Sequence, residues 1–85
     1  MSSRVAIVAI IVEDSQAVGQ LNEILHHYAA YIIGRMGIPY REKNVSIISV
    51  AVDALQDVIS ALAGSIGRLK GVSAKTAYSS LETPK

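Results

Sequence analysis

The stretch GRMGIPYREKN, residues 34–44, gathers recognition chemistry in a chain of 85 residues that is otherwise short of charge. Arg35 and Arg41 each offer a planar guanidinium with five donors, a fork that suits a carboxylate or a phosphate. Tyr40 adds an apolar ring ending in a hydroxyl, and Pro39 presets its own φ and so lowers the cost of ordering the turn. Gly34 and Gly37 lie to either side of Arg35, as where another chain or a ligand comes close to the backbone. Glu13 and Asp14 follow the first apolar run and would form an acidic rim. The expected ligand-binding set is therefore Arg35, Tyr40, Arg41, Glu13 and Asp14. The competing reading is a solvated hairpin tip in which Arg41, Glu42 and Lys43 keep a sheet edge soluble.

Other chemistry is weaker. The chain has no cysteine, so it can form neither a disulfide nor a thiolate metal site. His26 and His27 are adjacent, and neighbours on a helix diverge by about 100°, whereas helical metal pairs use spacings of three or four. They read as polar residues of a last helical turn, where an imidazolium favours the helix C-terminus. A metal site that takes one of them from each subunit is the alternative. Glu13, Asp14 and Ser15 have no nucleophile beside them and read first as a helix cap. Enzymes of similar topology that hydrolyse acyl phosphates need a cationic, glycine-rich cradle after the first strand, and here that loop is acidic. No phosphate-binding loop, dinucleotide fingerprint or serine-nucleophile motif occurs. The reading is a protein without catalytic residues and without a cofactor.

The elements that would position these residues follow from periodicity. Residues 5–12, VAIVAIIV, form an uninterrupted run that favours a strand. Val5, Ile7, Ala9 and Ile11 point one way, and Ala6, Val8, Ile10 and Val12 the other, so both faces need a cover. Asp14 or Ser15 then caps a helix whose stripe is Val18, Leu21, Leu25 and Tyr28, widened by Ala17 and Ile24. Gln20, Glu23, His26 and His27 lie off that stripe. A second strand is expected over residues 30–38 and a third over 45–52, the latter apolar on both faces. Asn44 between them is comfortable in a left-handed turn. Asp53 is expected to open a second helix with Gln56 as its capping partner. Leu55, Val58, Ile59, Leu62 and Ile66 make its stripe, and Ala61, Gly64 and Gly67 a smooth side for close packing. Gly71 turns the chain into a last strand over 72–78, and residues 79–85 read as a flexible tail.

The order β-α-β-β-α-β is the split βαβ of a ferredoxin-like α+β sandwich: a four-stranded antiparallel sheet with two helices on one face. Residues 1–85 make one domain, with a core over 4–78. Hydrophobic residues make up 51% of the chain, yet it has four tyrosines and no Phe or Trp. That is more Val, Ile, Leu and Ala than one small globule can hide, and it points to self-association, as a homodimer or homotetramer. The apolar run at 5–12 is too short to cross a bilayer and lacks the flanks of a signal peptide, so no membrane association is expected. Net charge is +1 with no concentrated basic patch, so direct DNA binding is not expected of the isolated chain.

Residues 12–28, VEDSQAVGQLNEILHHY, resemble the opening of ACT-type regulatory domains: an acidic residue after the first strand, a small residue where many have glycine, then Leu and Ile at helical spacing. YIIGRMGIPYREKNVSIISVAVD and ISALAGSIGRLKGVSAKTA look like the family described as iron-only hydrogenase system regulators, over about residues 4–78. The string from Gly34 to Tyr40 is the most specific part. The resemblance implies an ACT-like fold that associates through its sheet faces, similar to the C-terminal domain of the nickel-responsive repressor. That repressor's nickel site uses several His and a Cys, which this chain does not match. The ribbon-helix-helix domain that reads DNA there is not part of this sequence. The expected function is a cytoplasmic, non-catalytic, oligomeric regulatory module that binds a small anionic ligand or a partner protein at an inter-subunit crevice. A metal-responsive sensor and a purely structural interaction protein are the alternatives.

Overall fold

The computed structural model describes residues 2–80. Its elements are β1 (Arg4–Val12), α1 (Val18–His27), β2 (Ile32–Tyr40), β3 (Val45–Ala54), α2 (Gln56–Gly67) and β4 (Val72–Tyr78). Short 3-10 turns at Ser15–Ala17, Ala29–Tyr31 and Arg41–Lys43 make the joints. The strand order is β2-β3-β1-β4, and every neighbouring pair is antiparallel. Each crossover therefore skips one strand: β1-α1-β2 passes over β3, and β3-α2-β4 passes over β1. This is the ferredoxin-like α+β arrangement that the element order implies.

Strand alternation divides the sheet into two unlike faces. Ala6, Val8, Ile10 and Val12 of β1 and Ile48, Val50, Val52 and Ala54 of β3 are buried under the helices. Leu21 and Leu25 of α1 and Ile59, Leu62 and Ile66 of α2 close over them. A fully buried side chain of this size stabilises the fold by about 1.5–3 kcal/mol. The opposite face has no cover from the described chain. Val5, Ile7, Ile11, Ile47, Met36 and Ile38 stand on it with between 37% and 63% of their surface exposed. Register sets them in rows: Ile11 opposite Ile47, Ile47 opposite Ile38, and the smaller Ala9 opposite Ser49.

Several boundaries depart from the periodicity, each for a physical reason. The second strand starts at Ile32 because the 3-10 turn Ala29–Tyr31 takes up the residues before it. β3 runs on to Ala54, and Asp53, expected as a helix cap, sits in the strand opposite Val5. The N-cap of α2 is Leu55, which makes no side-chain cap bond; Val58 and Ile59 instead donate to its carbonyl at 3.0 and 3.1 Å. Among the described residues, the two glycines on the smooth side of α2 meet no other backbone: a Cβ at Gly67 would have nothing within 4 Å, and one at Gly64 only an Arg68 nitrogen at 3.6 Å.

At the end of the sheet, Ser79 departs from the expected tail. Its N–H donates to the Val5 carbonyl at 2.9 Å, and its own carbonyl accepts from Arg4 at 3.0 Å. Arg4 also lies 4.7 Å from the Tyr78 ring centroid and donates to Gln56 at 2.8 Å, while Gln56 reaches the Tyr78 hydroxyl at 2.7 Å. Residues 81–85 of the expected tail lie outside the described residues.

Candidate functional site

The end of β1 and the β2–β3 hairpin meet in a pocket of about 330 Å³. Glu13 and Ser15 line it from the β1–α1 connection, Tyr40, Arg41 and Asn44 from the hairpin tip, and Val12, Val18, Pro39 and Val45 supply apolar walls. Its shape depends on three backbone devices. Asn44 is left-handed, with φ 55°, and its N–H donates to the Arg41 carbonyl at 3.2 Å, which folds the tip back on itself. The Glu13 N–H donates to the Gly71 carbonyl at 2.7 Å, pinning the Glu13 backbone while its side chain stays exposed. Asp14 accepts from the Gln16 N–H at 2.9 Å and so caps the Ser15–Ala17 turn.

Of the five residues singled out from the sequence, this pocket brings together Glu13, Tyr40 and Arg41. Asp14 is engaged in its cap and does not line the pocket. Arg35 is elsewhere. It lies five residues before Tyr40 on β2, roughly 17 Å away at strand rise. The register shift between Ile32 and Gly34 places Arg35 opposite the buried Val50, on the helix side of the sheet. There Arg35 donates to the Asn22 side-chain oxygen of α1 at 3.4 Å. Five residues apart on one strand means opposite faces, so the separation of Arg35 from Tyr40 follows from alternation alone. Of Asp14 and Ser15, either of which could cap from the sequence, Asp14 makes the cap and Ser15 lines the pocket, as does Asn44 from its left-handed turn.

The pocket's chemistry is mixed. Arg41 and the Tyr40 hydroxyl suit an anionic group. Glu13 adds a negative charge, which repels a second anionic centre and favours a singly charged ligand over a dianion. Among the described residues the flanking glycines have no tight neighbour: a Cβ at Gly34 would have open space, and one at Gly37 ordinary contact with Ile48 at 3.8 Å. The two histidines share a depression with Asn22 and Glu23 but otherwise face different surroundings. His26 lines a groove with Asn22 and Arg35, while His27 lies edge-on to Tyr28 and lines a depression with Tyr31 and Asp57. Among the described residues no three of His, Cys, Asp and Glu stand close enough to hold a metal ion. No helix among them is long and apolar enough to cross a membrane.

Comparison with known proteins gives a consistent picture. Residues 4–76 match a family described as "TM1266-like: Iron-only hydrogenase system regulator, putative". The chain is similar to the solved structure of the uncharacterized protein TM1266 from Thermotoga maritima. The two share 38% sequence identity over 89% of this chain and 96% of that one, with a TM-score of 0.86. A search among curated proteins found no match.

Proposed function

Starting from the chain's membership of the TM1266-like family of iron-only hydrogenase system regulators, we propose that it is a cytoplasmic, non-catalytic regulatory module that works as an oligomer. Its copies pack through the bare face of the sheet. A small anionic ligand or a partner protein is read at the crevice beside the hairpin tip, with Tyr40 and Arg41 as recognition groups and Glu13 setting the permitted charge.

The observation that carries this reading is the uncovered apolar face. Its isoleucines, Val5 and Met36 are larger and more contiguous than the scattered apolar residues of an ordinary surface, and patches of that kind mark association sites. Ridges of Ile11, Ile47 and Ile38 beside a furrow at Ala9 and Ser49 also give the relief that a second sheet can interlock with. Sedimentation equilibrium at micromolar protein is expected to give a multiple of the 9.0 kDa chain mass. A single monomeric species would overturn the proposal.

Direct binding of nucleic acid by these residues is not part of this reading. With a net charge of +1, the isolated chain is expected to leave double-stranded DNA unshifted in a gel at nanomolar protein. A salt-dependent, sequence-selective shift would replace the present reading with a direct repressor or activator.

A further inference from the structure

We propose that the groove between α1 and β2 is a second binding site, built within a single chain, for a short aliphatic monocarboxylate. It is separate from the hairpin-tip pocket. The groove measures about 490 Å³ and is lined by Asn22, Leu25, His26, Ala29, Ile32 and Arg35.

Three observations converge on that ligand class. The first is where Arg35 points. The β-bulge before Gly34 reverses the alternation of β2 and turns Arg35 from the open face to the helix side, opposite Val50. Bulges re-aim side chains in this way at sites and at edges. The second is that Arg35 is under-used. Its one hydrogen bond among the described residues is the contact with Asn22 at 3.4 Å, at the outer limit for such a bond. A guanidinium has five donors in a fixed fork, so a carboxylate can be held in both its oxygens while Asn22 and His26 supply further donors from α1. The third is the floor, where Leu25 is buried and Ile32 half-buried, with Ala29 between them in the chain. An apolar floor next to a single cationic fork fits a hydrocarbon body with one acidic end.

Charge narrows the class further. Glu23 lines the adjoining depression with Asn22, His26 and His27. The C-terminal end of α1, at His27, presents the negative pole of the helix dipole. Both features oppose a dianion and leave room for one negative charge on Arg35. A phosphate monoester is therefore disfavoured.

Sodium butyrate is the probe, titrated into nitrogen-15-labelled protein at fixed ionic strength, with sodium chloride as the blank. Saturable shifts are expected at the Arg35 side chain, the Asn22 amide and the His26 ring. Arg35→Ala should weaken binding by about tenfold or more, the scale of a lost hydrogen bond to a charged group. Arg35→Lys should fall between the two, and Lys70→Ala, at an exposed cation that lines neither pocket, should bind like wild type. Shifts of Asn22 and His26 that survive Arg35→Ala, or that never saturate, would overturn the site. Inorganic phosphate binding as tightly as butyrate would overturn the ligand class. Because the groove lies within one chain, the butyrate result does not depend on oligomeric state, and its failure is distinguishable from failure of the sheet-face proposal.

Discussion

Ile10→Ala is expected to destabilise the protein by about 2–5 kcal/mol, while Ile11→Ala, one residue further along the same strand, costs the isolated fold about 1 kcal/mol or less. The two residues share a type, an element and an environment in sequence. They differ in face. Ile10 is fully buried, opposite Ile48 and Ala74, beneath the helices. Removing its side chain loses the transfer free energy and leaves a cavity that the packed layers cannot fully close. Ile11 keeps 37% of its surface exposed on the bare face, so its truncation removes partly solvated atoms and opens no cavity. Where copies pack through that face, Ile11→Ala reduces association, and the loss appears as a lower melting temperature that depends less on protein concentration. Urea titrations at two protein concentrations read both effects. Equal, concentration-independent losses for the two variants would contradict the assignment of faces.

The second large effect is at a glycine. Gly71→Ala is expected to cost about 3 kcal/mol, combining the penalty of a left-handed alanine with a steric clash. Gly71 has φ 77°, and an added Cβ would stand 2.5 Å from the Asp14 Cβ and 3.3 Å from its nitrogen. That neighbour is not the far end of a flexible side chain. The connection after β1 has to move, which strains the bond from the Glu13 N–H to the Gly71 carbonyl and the Asp14 cap. Glu13 lines the hairpin-tip pocket, so the variant should disturb that pocket as well as stability. Thermal melts give the first effect, and amide shifts of Glu13, Tyr40 and Arg41 the second. A melt unchanged from wild type would mean that the loop has slack to absorb the methyl group.

These cases also show why some features could be read from the sequence and others could not. The strict alternation in β1 and β3 assigns faces without any structure, because a period of two survives wherever the pairing is regular. Asn44 and Gly71 announce left-handed turns through their residue types. The bulge at Ile33 carries no such mark, since nothing in YIIGRMGI says which residue is left unpaired, and it decides the face of Arg35. Asp53 is misleading for a different reason. Its side chain suits a cap, but pairing with β1 holds its backbone in the strand through Arg4 opposite Ala54, and the helix starts later. As for the site, charge and turn chemistry bring out Tyr40 and Arg41, whereas the meeting of Asn22 with Arg35 is a product of tertiary folding.

The position of β1 in the middle of the sheet has a consequence for biosynthesis. It is made before both of its partners, Ser46–Ala54 on one side and Val72–Tyr78 on the other. Its apolar run therefore waits, unpaired on both edges, until residues 46–54 have been made. Pairings so distant along the chain form slowly, and an exposed hydrophobic strand invites pairing with a neighbouring nascent chain in the meantime. The last seven-residue strand is what closes the open edge of β1, so a ribosome that stops before Val72 releases a chain with a free apolar edge, a natural client for a chaperone or a protease.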